Sequence, residues 1–150
     1  GGVCQVSTTV YRAALAAGLP ILKQRNHSMF VAYYEAYGVG QDSTIFPGQQ
    51  DLIFRNDTGS PIFIQAEEDG KEVTVRFYGK PDGRKVQMQG PFFAAHGSKR
   101  LLSQFGEDLG YRQIGWKRTI LRSGISEPQV DRFVSTYKTM PKDVAWRWVR

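Results

Sequence analysis

Residues 51–78 carry the stretch that decides the fold, DLIFRNDTGSPIFIQAEEDGKEVTVRFY. Its apolar and alternating runs are separated by two turn-forming segments, NDTG at 56–59 and DG at 69–70. Alternation of apolar and polar residues is typical of a half-buried strand, and an Asp-Gly pair between two such runs favours a hairpin. We therefore predict an antiparallel meander over this stretch.

A helix is predicted upstream of it by GGVCQVSTTVYRAALAAGL, residues 1–19. The apolar residues recur at intervals of three and four, and the alanines favour helix. The two leading glycines place the start between Val3 and Ser7, and Gly18 followed by Pro20 ends the helix. The fold class is therefore predicted to be α+β: an N-terminal helix packed on an antiparallel meander, with a less regular, strand-containing C-terminal part.

The remaining elements are predicted from shorter patterns. Strands are expected at 29–34, 42–46 and 113–121. Residues 130–137 fit either a strand or a helix, and residues 92–109 a loop or a short helix. The tail AWRWVR at 145–150 alternates aromatic and basic residues, which fits a half-buried edge strand or a surface that binds a polyanion.

Composition excludes several classes of protein. The 150 residues are 41% hydrophobic, so the chain is long and apolar enough to bury a core. One cysteine cannot form an internal disulfide, and one cysteine with two histidines cannot build the usual four-ligand zinc site. No apolar run reaches the length of a membrane span. The chain begins at Gly1-Gly2 without a signal peptide, so we expect a processed form or a fragment.

The net charge of +6 is unevenly distributed. Residues 1–75 hold 5 basic and 8 acidic side chains, and residues 76–150 hold 15 and 6. The basic second half fits either a solvated face or a surface for an anionic polymer. Positive charge is the only feature that would favour nucleic-acid binding. Because no helix-turn-helix or RNP motif accompanies it, we expect no nucleic-acid partner.

Cys4 is the first candidate for chemistry. A thiol at a helix start lies among unpaired backbone N–H groups, which stabilise the thiolate and can stabilise an oxyanion. His27 is the candidate general base, and Asp42 or Asp51 the carboxylate that orients the imidazole. The alternative is that Cys4 is a small buried apolar residue and His27 an ordinary polar one.

Further residues are candidates for binding a substrate. Gly2 allows close approach of a ligand to the backbone, while Gln5, Ser7 and Thr8 are either helix-face contacts or local competitors for the helix cap. Tyr33 belongs to a tyrosine cluster that fits a sugar-stacking platform or a packed surface.

The segment GGVCQVSTTVYRAALAAGL resembles the hallmark of the VanW family, and RNHS, QDSTIF and QQDLIFRNDTGSPIFIQA are similar to later blocks of that family in the same order. The resemblance covers residues 1 to about 80. Among the positions it picks out are Cys4, Gln5, His27, Ser28, Asp42 and Asp51, and Ser28 and Asp51 join the candidates for binding a substrate. It implies a bacterial cell-envelope protein associated with peptidoglycan. It does not imply a particular chemical reaction.

Two functions follow as expectations. The first is an extracytoplasmic enzyme in which Cys4, His27 and Asp42 act on a peptidoglycan peptide by acyl transfer or hydrolysis, without a metal or organic cofactor. The helix-start Cys followed by a His resembles papain-like and NlpC/P60-like thiol hydrolases in layout only. The second is a non-catalytic module that binds wall polymer. The domain boundaries expected are a VanW-like core at 1–80 and a basic extension at 81–150 that either stands apart or completes the same domain.

Overall fold

The computed structural model of the chain describes residues 2–94 and 99–148. It has the α+β fold expected from the sequence. The helices are α1 Val3–Ala16, a 3-10 helix Ala32–Tyr37, α2 Lys99–Phe105 and α3 Val144–Trp148. The strands are β1 Ile21–Lys23, β2 Ile53–Phe54, β3 Ile62–Glu68, β4 Val73–Gly79, β5 Lys85–Phe93, β6 Gln113–Leu121 and β7 Gln129–Thr136.

Helix α1 begins and ends where the glycines predict. Gly2 is the N-terminal cap, with a φ of 93°, and its carbonyl accepts the first helical hydrogen bond from Val6 at 3.0 Å. At the other end Gly18 is left-handed (φ 71°), and the N–H of Leu19 donates to the carbonyl of Ala14. This is the geometry of a Schellman cap, which satisfies carbonyls at the end of the helix.

The described strands form three separate antiparallel sheets, β1-β2, β3-β4 and β5-β6-β7. The hairpin β3-β4 is confirmed, with Ile62 opposite Gly79 and Glu68 opposite Val73. The prediction of one continuous meander is wrong at its first strand, because β2 pairs with β1 instead of β3. The C-terminal part is more regular than predicted, since it holds the largest sheet.

Three local predictions are wrong. The apolar run 29–34 does not form a strand: it enters the 3-10 helix, which buries Tyr34. Residues 42–46 form no strand, because their polar side chains and backbone bond to α1 and to neighbouring loops. The tail residues 144–148 are helical, not an edge strand, because Val144 and Ala145 pack into the core. Residues 95–98 of the predicted loop at 92–109, and residues 149–150, lie outside the described part.

The larger core joins the C-terminal sheet to the loop that follows the 3-10 helix. Its buried members are Val39, Phe93, Ile114, Tyr137, Val144 and Ala145. The indole N–H of Trp116 donates to the carbonyl of Val39 at 2.7 Å. Gly40 has a φ of 78°, and a Cβ there would lie 2.7 Å from the Ile114 side chain. The loop is therefore pressed against β6, which fixes the position of Asp42 two residues later.

Candidate active site at the start of helix α1

Cys4 is the second residue of α1 and its thiol is half-buried. The sulfur lies 3.6 Å from the Thr44 hydroxyl and 3.7 Å from the Ile45 carbonyl oxygen. The first N–H groups of α1 have no partner within the helix, and the positive end of its dipole faces the thiol. Cys4 is thus placed where a negative charge on sulfur is stabilised.

The pKa of Cys4 lies below the ordinary thiol value. Hydrogen bonding by the Ile45 backbone is the largest cause, and the Thr44 side chain is the second. Partial burial acts in the opposite direction, and His27 lowers the pKa further through hydrogen bonding and charge. The thiolate is the reactive form of cysteine, so these neighbours increase its population near neutral pH.

His27 is held by Asp42 at two points. Its backbone N–H donates to Asp42 Oδ2 at 2.7 Å, and its ring Nδ1 lies 2.7 Å from the same oxygen. Asp42 is 3% exposed, so the carboxylate is fixed in the interior. With the Nδ1 proton directed to the carboxylate, Nε2 is the nitrogen left to exchange a proton with the thiol. The structure thus joins His27 to Asp42, and His27 lies near enough to Cys4 to help lower the pKa of the thiol, whose own polar contacts are with Thr44 and Ile45.

Tyr137 is a further member that the sequence did not indicate. Its hydroxyl donates to Asp42 Oδ1, so both carboxylate oxygens are engaged. Tyr137 is 2% exposed, and burial, the Asp42 charge and this hydrogen bond raise its pKa, so it remains a donor. It immediately follows β7, far along the chain from Asp42 and outside every motif of the first half. No spacing pattern could have identified it.

Ser7 and Thr8 hold the loop that carries Asp42 and Thr44. Ser7 Oγ donates to Ser43 Oγ at 3.2 Å, while Thr8 Oγ1 donates to the Ser43 carbonyl and accepts from its N–H at 3.1 Å. Both residues are buried. These hydrogen bonds attach the loop to α1 and so fix the position of Asp42 relative to Cys4. A contact of either residue with substrate stays a prediction.

Tyr34 belongs to the same tyrosine cluster as Tyr33 and lies beside His27. Its ring centroid is 5.5 Å from that of His27, and Arg12 donates to its backbone carbonyl at 2.9 Å. The buried hydroxyl has no hydrogen-bond partner among the described residues. The Tyr34 ring therefore packs beside the imidazole of His27.

The other predicted site residues occupy different places. Gly2, Gln5 and Tyr33 line a cleft of about 960 Å³ along α1, and Cys4 is not among its lining residues. Asp51 lines a second, more apolar cleft of about 660 Å³ and pairs with Lys23 at 3.3 Å. Asp42 makes both bonds to His27, so the geometry favours Asp42 over Asp51 as the orienting carboxylate. Ser28 is exposed, and its carbonyl accepts from the Lys138 N–H at 2.7 Å.

Within residues 2–94 and 99–148, no group of three or more His, Cys, Asp or Glu side chains is arranged to hold a metal ion. In the same part of the chain, no helix has the length and apolar character needed to cross a bilayer.

Residues 1–78 match the family described as VanW like protein, which is more than half of the chain. The chain belongs to this VanW-like family. The uncharacterized protein YoaR of Bacillus subtilis (strain 168) is 36% identical over 78 residues, which make up 52% of this chain and 25% of YoaR. The matched segment thus spans a quarter of that relative. No solved structure matches the chain significantly.

Membership places the VanW-like chain in a family associated with vancomycin resistance and the cell envelope. The matched residues include Cys4, His27 and Asp42, whereas Tyr137 lies outside them. The family segment therefore carries the thiol, the imidazole and the carboxylate, and the rest of the chain supplies the hydroxyl that holds the carboxylate.

Proposed function

We propose that this VanW-like protein acts outside the cytoplasm on peptides of the bacterial cell wall, by acyl transfer or hydrolysis at Cys4. The observation that carries the proposal is the hydrogen-bonded series Tyr137–Asp42–His27 beside a thiol of lowered pKa. A nucleophile, a base and a group that orients the base are the parts that covalent catalysis by cysteine requires.

The reaction has two halves. The Cys4 thiolate attacks the substrate carbonyl carbon, and the resulting oxyanion is stabilised by free N–H groups in the first turn of α1 and by the Gln5 side chain. The protonated His27 donates its proton to the leaving amine as the C–N bond breaks, which leaves a thioester on Cys4. Water or a second amine then attacks the thioester, His27 removes a proton from it, and the thiolate is restored.

Product analysis tests this function. Defined wall peptides are incubated with the protein and analysed by mass spectrometry, with a parallel sample in which Cys4 has been blocked by iodoacetamide. We expect cleaved or cross-linked products, formed only by the unblocked protein. Products that persist after complete blocking of Cys4 would contradict the thiol mechanism.

Tyr137→Phe tests the positioning of Asp42. The substitution removes one hydroxyl that donates to a charged carboxylate, so we expect kcat to fall by about 10- to 100-fold. KM should change by less than about twofold because buried Tyr137 does not reach the substrate. The pH midpoint for alkylation of Cys4 should move upward, towards the ordinary thiol value, because His27 is held less firmly beside the sulfur.

Tyr11→Phe is the matched control for this measurement. Tyr11 is also 2% exposed and lies near Asp42, but it makes no hydrogen bond with that carboxylate. Its substitution should leave both kcat and the alkylation midpoint close to wild type. An equal effect of the two substitutions would show that Tyr137 acts through general packing.

Binding without catalysis is the second candidate function. Tyr33 and Tyr37 are 63% and 68% exposed beside the larger cleft, as a surface that stacks on sugars would be. The basic second half would add attraction to anionic wall polymer. Retention on purified sacculi that does not depend on Cys4 and weakens with salt would support this candidate, and no retention would reject it.

A further inference from the structure

A row of side chains on α1 binds the loop that carries Asp42. Cys4, Thr8 and Arg12 are spaced four residues apart, so they lie in line along one side of the helix. Their hydrogen-bond partners on the loop follow in the opposite order and are Thr44, Ser43 and Gln41. Arg12 is therefore on the same side of α1 as the thiol, and it bonds to the loop immediately before Asp42.

The Arg12 guanidinium joins three backbone carbonyls. Its Nε donates to the Gln41 carbonyl at 2.8 Å. Its Nη2 donates to the carbonyls of Tyr34 at 2.9 Å and Gly38 at 3.1 Å. A guanidinium carries five N–H donors in a rigid plane, so a single side chain can hold carbonyls of different segments at fixed separations.

The chain is shaped at Gly38 to bring these carbonyls together. Gly38 has a φ of 138°, and a Cβ there would lie 2.6 Å from Gln41 Oε1 and 3.7 Å from Arg12 Nε. The Gly38 carbonyl also accepts from the Gln41 N–H at 3.0 Å. The close packing at this glycine lets one guanidinium reach both the 3-10 helix and the loop.

Both of these segments contact His27. The Gln41 carbonyl belongs to the peptide bond that leads into Asp42, and Asp42 Oδ2 lies 2.7 Å from His27 Nδ1. The Tyr34 ring lies beside the imidazole, with 5.5 Å between the ring centroids. Arg12 is thus bonded to the backbone of both segments that orient His27.

We propose that Arg12 is a positioning residue for the reaction at Cys4, because it ties the two segments that hold the His27 imidazole to the helix that carries the thiol. The inference rests on the proposed function and adds to it a residue that acts through His27. Loss of the Arg12 donors should let the imidazole move relative to the sulfur. His27 contributes to the lowered pKa of Cys4, so this contribution should then weaken.

The ring proton of His27 tests this role without a substrate. A proton on Nδ1 that is held by Asp42 exchanges slowly with water and gives a downfield proton NMR resonance. We expect this resonance in wild type, identified by its absence from His27→Gln, and its loss through faster exchange in Arg12→Met. An unchanged resonance in Arg12→Met, or none in wild type, would overturn the proposal.

Arg84→Met is the matched control. The Arg84 side chain is 8% exposed near the other end of α1, where it donates to the Gly18 carbonyl at 2.8 Å and pairs with Asp57 at 2.9 Å. Both variants should lower Tm. Only Arg12→Met should lose the ring proton resonance and raise the pH midpoint for alkylation of Cys4. The same changes in both variants would show a general effect of stability and would contradict the positioning role.

Turnover of wall peptides gives an independent result. Arg12→Met should lower kcat by about 10- to 100-fold, because a displaced base is less effective, and should change KM by less than about twofold. Arg12→Lys keeps the charge without the planar donors, so it should recover only part of the loss. Full recovery with lysine, or a raised KM with unchanged kcat, would contradict the positioning role.

The two measurements separate this inference from the proposed function. A ring proton lost in Arg12→Met, without turnover by wild type, would reject the thiol chemistry and keep the role of Arg12 in holding His27. Turnover by wild type with an unchanged ring proton in Arg12→Met would keep the chemistry and reject the role of Arg12.

Discussion

Replacing Cys4 with alanine is expected to lower wall-peptide turnover by about 10⁶-fold, the size of effect seen when a covalent nucleophile is removed. The fold should be preserved because the sulfur is half-buried and its two polar contacts are long, at 3.6 and 3.7 Å. Turnover is measured by quantifying products, and the fold by thermal unfolding.

Ser123→Ala serves as the control for the loss of turnover. Ser123 is exposed in the turn between β6 and β7, away from the residues assigned to the site. We expect it to keep the turnover of wild type. If Cys4→Ala retained substantial turnover, the role of the thiol as nucleophile would be wrong, whatever the behaviour of His27 and Asp42.

Arg118→Met is expected to have the largest effect on stability. Arg118 lies on β6, is 2% exposed, and donates to Asp131 Oδ2 at 2.8 Å. It also donates to the carbonyls of Leu15 and Leu19 at the end of α1, at 3.2 and 3.0 Å. Methionine keeps much of the volume but removes the charge that pairs with Asp131 and the donors to both carbonyls, although the Leu15 carbonyl keeps the Gly18 N–H and Asp131 keeps Gln129. We expect a loss of about 3 kcal/mol, which corresponds to a fall in Tm of about 6–12 °C.

Arg122→Ala is the matched control for Arg118. Arg122 lies just after the same strand, and its ion pair with Asp57 is partly exposed, so its loss should cost less than about 1 kcal/mol. Both variants are compared by urea and thermal unfolding. Similar losses in the two would contradict the central role assigned to the bonds between Arg118 and the end of α1.

The Arg118 bonds also bear on the domain boundaries. They join β6 to α1, and Trp116 and Tyr137 join the C-terminal sheet to the loop bearing Asp42. We propose that residues 81–150 complete one domain with the family segment. The unfolding of Arg118→Met as a single cooperative transition, lowered in Tm, would agree with this proposal, whereas two separate transitions would contradict it.

The sequence predicted correctly those elements that are determined by residues close together in the chain. The glycines at both ends of α1 determine its bounds, and Asp69-Gly70 places the β3-β4 turn. The strand predicted at 29–34 was wrong because a short apolar segment fits a strand or a buried helical turn equally well. Packing of Tyr34 beside His27 decides between the two. Pairing of β2 with β1 depends on contacts between distant segments, which periodicity does not encode.

The candidate site could also be predicted only where its features are local in the sequence. The position of Cys4 follows from the helix start, which is a local feature. Its relation to His27 and Asp42 was supported by the family resemblance and stays a prediction; the structure bonds His27 to Asp42, and His27 contributes to the lowered pKa of Cys4. Tyr137 depends on tertiary packing, so it could not be obtained from a motif.

The most direct test of the central claim is the mass of the protein during reaction with a wall peptide. Rapid acid quenching followed by peptide mapping should show a transient acyl group attached to Cys4, sensitive to hydroxylamine as a thioester is. The adduct should be absent from Cys4→Ala and should accumulate in wild type before steady state. Product formation with no acyl group on Cys4 at any time, or an acyl group on another residue, would contradict the account.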